Sequence, residues 1–225
     1  MSQLLMRVVP TVPIYTDRGS NGDHDIAIFQ PVVPDDWYWL GHCAVAMPES
    51  FEITDTSLQR LAPYALAVKP ALGDASDVLC FMKKAGKEAL WTDEKSGGDL
   101  DIALFNPQPE SDGYKTMSLF AMVGSGDVYG VDPSKTPPWK DLWSRLVAIK
   151  TDMLTDTSDA SLDWVWSDLG MGARGSGTYE NVTIFRNTGT EGGLAANTMY
   201  ATNEYPVDPS GFVPDVKYFK EFWNF

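Results

Sequence analysis

One segment of this chain occurs twice without a gap, and this repetition constrains the fold more than any other feature of the sequence. Residues 15–31 (YTDRGSNGDHDIAIFQP) recur as residues 91–107 (WTDEKSGGDLDIALFNP), with ten identical positions. A third, weaker copy begins at Trp166, carries extra residues at 169–174, and resumes the pattern at residues 181–185. Internal repetition of this kind predicts equivalent units that bury their apolar faces against one another.

Each copy has the pattern of β-strands. Residues 25–29 are rich in Ile and Phe and are bounded by turn-forming residues, which predicts a short strand packed on a core. Prolines such as Pro31 and Pro107 then end the strands and disfavour helix. Helical patterns are limited to short segments near residues 57–61 and 139–146.

These units predict an all-β fold, a pseudo-threefold β-prism of three degenerate strand repeats with little helix. The chain is expected to form one domain over residues 1–225, with approximate repeats at 5–64, 65–145 and 146–205. The aromatic-rich segment 206–225 is expected to close the ring against the first sheet. Three sheets around one axis bury one face each and leave few free edges. A propeller and a trefoil are the competing architectures.

The net charge of −14 restricts the class of partner. A field of that sign repels phosphate backbones and disfavours nucleic acid, and it repels anionic lipids unless a cation bridges the surfaces. Neutral glycans and cations remain open. Cys43 and Cys80 have no metal or redox spacing, and we expect both to be buried free thiols, with a single disulfide between them as the alternative.

Neither a leader nor a spanning segment is apparent in the sequence. Residues 1–7 lack a basic stretch followed by an apolar one, and no apolar run approaches the ~20 residues needed to cross a bilayer. The sequence therefore predicts a cytoplasmic protein or one released without a conventional signal peptide, while a secreted form stays open.

The repeated D-x-x-S-x-G-D-x-D loop is the sharpest candidate for a binding site. Its clustered carboxylates suit calcium, but they equally suit turn capping through backbone amides, or direct contact with a sugar or headgroup. All three interpretations stay open. The predicted ligand-binding residues of these loops are Asp17, Ser20, Asp23, Asp25, Asp93, Ser96, Asp99, Asp101 and, in the third copy, Asp168. The candidate metal ligands among them are Asp17, Asp23, Asp25, Asp93, Asp99 and Asp101.

Aromatic residues form a second candidate surface at residues 37–39. Trp37 and Trp39 are predicted to stack on a ligand, although alternation along a strand places at least one ring of the cluster in the core. The aromatic residues that begin the three copies are expected to share a structural role; they are Tyr15, Trp91 and Trp166.

A family resemblance covers roughly residues 12–187. Residues 29–41 (FQPVVPDDWYWLG) resemble the F-x-P-x-x-P-x-G-x-x-x-L-G signature of the vacuolar protein sorting-associated protein 62 family, and residues 105–114 repeat part of it. Departures are Asp36 in place of the usual glycine, and Met117-Ser118 in place of the Leu-Gly pair in the second copy. The resemblance implies a β-prism module, and similar modules occur in lectins and in the membrane-recognition domains of pore-forming and insecticidal toxins.

Catalysis finds little support, because neither His24 nor His42 lies in a triad or metal pattern. We expect a non-enzymatic binding module that recognises a glycan or lipid headgroup through its repeated loops. No cofactor is expected to be required, and calcium is the candidate that would assist binding. The alternatives are an insecticidal or pore-forming-type defence toxin that recognises target membranes, and an intracellular vacuolar sorting adaptor. A homo-oligomer or a partner protein stays open, and nucleic acid is not an expected partner.

Overall fold

The fold was analysed in a computed structural model of the chain. It describes residues 3–17, 25–48, 51–72, 74–93, 99–125, 128–155, 161–167, 182–189, 197–202 and 218–219. Short antiparallel strands predominate, joined by turns, two short α-helices and two single 3-10 turns. Within these ranges no helix is long and apolar enough to cross a membrane.

Three inner sheets, one from each sequence copy, have three antiparallel strands apiece, and the repeated strand is the middle one. The first consists of β2 (Thr11–Thr16), β3 (Ile26–Pro31) and β5 (Cys43–Ala46). The second consists of β8 (Trp91–Thr92), β9 (Asp101–Phe105) and β11 (Phe120–Gly124). The third consists of β14 (Ser161–Ser167), β15 (Thr183–Gly189) and β16 (Met199–Thr202).

Three outer sheets complete the units. The first consists of β1 (Gln3–Val9), β6 (Ala65–Leu72) and β4 (Tyr38–Trp39), and the second of β7 (Leu79–Phe81), β12 (Val147–Lys150) and β10 (Tyr114–Lys115). The third pairs β13 (Leu154–Thr155) with β17 (Tyr218–Phe219). In the first two units the chain therefore alternates between the two sheets, since β4 and β10 of the outer sheets lie in the chain between strands of the inner ones.

Strand pairing groups the chain into three units, β1–β6, β7–β12 and β13–β17. Because β6 pairs with both β1 and β4, residues 65–72 end the first unit, although the sequence places them at the start of the second copy. The expectation that the C-terminal segment closes on the first sheet is wrong for its described residues, 218–219. They pair with β13, which belongs to the third unit.

The three inner sheets pack their apolar faces into one shared core. The residues that begin the copies have the same register, because Tyr15 lies opposite Ile28, Trp91 opposite Leu104 and Trp166 opposite Ile184. Their side chains are buried together with their strand partners, and the Trp91 and Trp166 rings meet edge-on at 5.9 Å. The predicted all-β, pseudo-threefold architecture and the shared role of these aromatic residues are thus confirmed.

Hydrogen bonds link the units where they converge. His42 N donates to Leu119 O, and Leu119 N donates to Met199 O, both at 3.1 Å. The third link passes through a side chain, since Met199 N donates to Ser118 Oγ (2.9 Å) and that hydroxyl donates to His42 O (2.7 Å). The resulting ring marks the pseudo-threefold axis.

Both helices are short, as the sequence predicts. Helix α1 (Asp55–Leu61) begins with a capping box in which Thr54 accepts from Ser57 N. Helix α2 (Trp139–Trp143) follows Pro138 and directs Trp143 into the core of the second unit. It lies close to the first unit, because Trp39 Nε1 donates to Leu142 O at 2.9 Å.

Candidate functional site

An open groove of about 430 Å³ lies in the second unit, along the loop between β9 and β11. Tyr200 of β16 also lines the groove, so the third unit contributes to it. A volume of this size suits a small ligand. The side chains that line the groove are mostly polar and include Asn106, Gln108, Asp112, Lys115, Thr116 and Tyr200.

Hydrogen bonds fix the near end of this loop. Lys83 N donates to Gln108 O at 2.7 Å, which ties the loop to the chain after β7. Thr116 Oγ1 donates to Pro107 O at 2.8 Å, which joins the two sides of the loop. These contacts order the loop before a ligand binds. Binding would therefore lose little free energy to the ordering of this backbone.

The far end of the loop is fixed as well. Thr151 donates to Gly113 O through its backbone N (2.8 Å) and its Oγ1 (2.9 Å), and Tyr114 OH donates to Ser76 O. Gly113 has a φ of +83°, a conformation that favours glycine. The turn is therefore built on a residue suited to it and held from outside.

Asp17 and Asp93 make equivalent hydrogen bonds to backbone amides in the first two units, next to β2 and β8. Asp17 Oδ1 accepts from Ile26 N at 2.8 Å, and Asp93 Oδ1 accepts from Ile102 N at 2.7 Å. Both aspartates are buried, with side chains 3% and 2% exposed. Burial raises the pKa of Asp17 to about 7, with a further contribution from the charge of Asp25. Bonds of this kind to backbone amides are compatible with the capping interpretation, and the residues of the two loops between these partners lie mostly outside the described residues.

Phenol groups surround the carboxylate of Asp93. Tyr15 OH of the first unit donates to Asp93 Oδ2 at 3.1 Å, so this contact also joins two units. Tyr129 OH lies 3.0 Å from Asp93 Oδ1 and 2.9 Å from Asp101 Oδ1, so one phenol proton serves two carboxyl groups. Burial is the largest of the effects that raise the pKa of Asp93. A cation at Asp93 would have to displace these donors.

The calcium interpretation remains a prediction. Among the residues that the structure describes, no three His, Cys, Asp or Glu side chains converge as a metal site. Asp25 and Asp101 are half-buried and Asp99 is exposed. Four predicted ligand-binding residues lie outside the described residues: Ser20, Asp23, Ser96 and Asp168.

The aromatic cluster at residues 37–39 is only partly at the surface. Trp37 is half-buried, and its role in stacking stays a prediction. Trp39 is 2% exposed, and its indole N–H is bonded to the backbone of α2, so the prediction that it stacks on a ligand is wrong. The reason is strand alternation, which turns Trp39 inward and leaves its neighbour Tyr38 half-buried.

His42 is a core residue. Its ring is fully buried, and Nδ1 accepts from Ala121 N at 2.9 Å. Burial lowers the pKa of His42 to about 3, so the imidazole is neutral at physiological pH. His24 lies outside the described residues.

Sequence reasoning missed the residues of the groove. Its one signal is a change between the two closest copies, in which Gln108 stands where the first copy has Val32. A polar residue that replaces an apolar one in a repeat indicates a local difference in surface, but not a cavity.

Comparison with known proteins identifies the fold and no family. No family model matches the chain, and no curated protein matches its sequence. Among solved structures, the chain is similar to GNIP1Aa from Chromobacterium piscinae, with a TM-score of 0.61 and 22% identity. The match covers 96% of this chain and 37% of GNIP1Aa, so the chain spans little more than a third of that protein. The likeness supports the all-β fold, and the resemblance to the vacuolar protein sorting-associated protein 62 family stays a prediction.

Proposed function

We propose that this chain is a non-enzymatic binding module that recognises a neutral glycan in the groove of its second unit. The observation that carries the proposal is the groove itself, an open cavity of about 430 Å³ on a loop that hydrogen bonds hold at both ends. Binding sites of this kind need shape and a few well-placed polar groups rather than a reactive centre.

The chemistry of the lining favours a sugar. The amides of Asn106 and Gln108 can each donate and accept, which matches hydroxyl groups that do the same. Both side chains are exposed, so they can reach a ligand without a change in the fold. The ring of Tyr200 adds an apolar face of the kind that packs against the C–H face of a sugar.

The charge of the chain favours a neutral ligand over an anionic one. With a net charge of −14, a phosphate or an anionic headgroup meets repulsion from the whole molecule. The groove contains both Asp112 and Lys115, so it does not offer a cluster of cations that would overcome this repulsion. A glycan without formal charge avoids the penalty.

The similarity to a solved structure is compatible with a module. The fold of this chain corresponds to 37% of GNIP1Aa, so it also occurs as one part of a longer chain. A part with its own core and its own groove suits a recognition role within a larger protein.

A glycan array together with a lipid array tests the proposal, each run with calcium and with EDTA. We expect binding to neutral glycans that EDTA leaves unchanged, because the described groove has no metal site. Loss of binding in EDTA would transfer the site to the acidic loops. Binding to anionic lipids alone, or to neither array, would contradict the proposal.

The two alternatives are tested with the same protein. A toxin that recognises target membranes predicts leakage of dye-loaded vesicles, whereas a glycan-binding module leaves vesicles intact. A vacuolar sorting adaptor, the function that the family resemblance implies, predicts trafficking proteins in a pull-down.

A further inference from the structure

The groove has a structural counterpart in the first unit, and strand pairing identifies its residues. Strand β4 pairs with β6 as β10 pairs with β12: Tyr38 lies opposite Val68, and Lys115 lies opposite Ile149. Val68 and Ile149 hold the same position in their outer sheets, opposite Met6 in β1 and Leu79 in β7 respectively. The residue after Tyr38 is Trp39, and the residue after Lys115 is Thr116, so these two are equivalent.

The residue equivalent to Tyr200 is identified from the hydrogen-bonded ring at the axis. Leu119 and Met199 occupy successive positions in that ring. The residue after Leu119 is Phe120, and the residue after Met199 is Tyr200. Phe120 and Tyr200 are therefore equivalent. Tyr200 of the third unit lies beside the loop of the second unit, and Phe120 of the second unit lies beside the loop of the first.

In the first unit this pair of positions is packed with aromatic rings. Trp39 and Phe120 meet edge-on with ring centroids 5.9 Å apart, and Phe120 in turn meets Trp143 of α2 at 5.1 Å. All three rings are buried in one cluster. In the second unit the same positions hold Thr116 and Tyr200, which line the open groove.

We infer that Thr116 and Tyr200 are the residues that make the second unit able to accept a ligand, and that the Trp39–Phe120 pair closes the equivalent site of the first unit. The inference rests on the proposed function for the class of ligand, a neutral sugar. The further point is that the first two units differ: the second has an open site, and the equivalent site of the first is filled by side chains. A tryptophan at position 116 should fill the groove as Trp39 fills its counterpart.

The test compares three substitutions at one position. Thr116→Trp fills the groove, whereas Thr116→Ser keeps both the space and the hydroxyl, and Thr116→Val keeps the space alone. The ligands are methyl glycosides of glucose, galactose and mannose, added at millimolar concentration and followed by saturation-transfer NMR. We expect Thr116→Trp to lose binding by at least about tenfold. Thr116→Val keeps the space but loses the bond to Pro107 O, so it should lose less than Thr116→Trp, and Thr116→Ser, which keeps the hydroxyl, should lose least. A loss in Thr116→Val as large as that in Thr116→Trp would overturn the inference.

Two further readouts separate the inference from the proposed function. Thermal melting of Thr116→Trp should stay close to that of Thr116→Val, because both lose the bond to Pro107 O and the ring enters existing space. A melting temperature of Thr116→Trp well below that of Thr116→Val would overturn the inference. Backbone NMR shifts on glycoside binding should fall at residues 106–119, and shifts at residues 29–41 would overturn it. If no glycoside binds the unmodified protein, the proposed function fails, and the melting result alone decides whether the groove is the open counterpart of the Trp39 site.

Discussion

Ser118 Oγ donates to His42 O at 2.7 Å and accepts from Met199 N, so one hydroxyl joins the first and third units of the fold. The other two links of this ring are direct bonds between backbone groups. Gly41 provides the space for Ser118, because a Cβ at residue 41 would lie 2.6 Å from Ser118 Cβ and 2.7 Å from Leu119 O. Gly41 and Ser118 are therefore in direct contact at the axis, and the glycine leaves the room that the serine side chain needs.

Substitution of Ser118 by Ala is expected to destabilise the fold. The change leaves Met199 N–H and His42 C=O without their partner in a buried place, which costs about 1–3 kcal/mol. Chemical denaturation measures the free energy of unfolding, and Ser111→Ala, an exposed serine of the groove, is the control. Equal unfolding energies for the two variants would contradict the role of Ser118.

Substitution of Gly41 by Ala is expected to cost more than the same change at other glycines with positive φ. Gly41 has a φ of +118° and two atoms within 2.7 Å of the added carbon, whereas Gly86 has a φ of +76° and nothing within 4 Å. An alanine at Gly86 carries mainly the strain of a positive φ, about 1–2 kcal/mol, whereas an alanine at Gly41 adds the steric contact and a φ further from the left-handed well. We predict that Gly41→Ala has the lower melting temperature, and equal melting temperatures for Gly41→Ala and Gly86→Ala would contradict the role of Gly41.

Asp17 is expected to make stability depend on pH. Its pKa is about 7 in the folded state, against an ordinary value of 3.8 for an aspartate in water, so the folded chain binds a proton that the unfolded chain releases between these values. Stability contributed by this group is therefore lost as pH rises from about 4 to 7, by at most about 4 kcal/mol.

Asp17→Asn keeps an acceptor for Ile26 N and removes the titration, so it should flatten the fall in stability across this range. Urea denaturation at several pH values checks this, with the exposed Asp99→Asn as the control. A fall of the same size in Asp17→Asn as in the unmodified chain would show that another group is responsible.

Tyr15→Phe tests the contact between the first and second units at Asp93. Loss of the phenol hydroxyl removes the bond to Asp93 Oδ2 and leaves a buried carboxylate oxygen without that donor, at a cost of about 1–3 kcal/mol. Tyr64→Phe, at an exposed tyrosine, should leave the unfolding energy unchanged. The contact has no energetic role if the two variants unfold at the same denaturant concentration.

The inner sheets could be predicted from the sequence, and the outer sheets could not. The repeated segments carry both turn and strand signals, so the sequence was enough to predict the copies and the equivalence of Tyr15, Trp91 and Trp166. Strands β4 and β10 have two residues each, which is too few for a periodic pattern in the sequence. They form because they pair with strands that are distant in the chain. The assignment of residues 65–72 to the first unit depends on the same long-range pairing.

The candidate site was predictable only in part. A carboxylate directly after a strand is a recognisable acceptor for backbone amides, and Asp17 and Asp93 accept such bonds from Ile26 N and Ile102 N. The groove exists because Thr116 is small, whereas Trp39 fills the equivalent position of the first unit. Whether such a position is open or filled depends on packing between the units. A sequence motif does not indicate such a space.

The most direct test of the groove as the binding site is a calorimetric titration of the neutral glycan that binds best with two matched variants. Asn106→Ala removes an amide that lines the groove, and Gln30→Ala removes the amide at the equivalent position of the first unit. We predict that Asn106→Ala weakens binding by about tenfold, since one hydrogen bond is worth about 1 kcal/mol or slightly more, while Gln30→Ala leaves affinity unchanged. Equal affinity for Asn106→Ala and the unmodified protein, or a loss confined to Gln30→Ala, would contradict the assignment of the site to this groove.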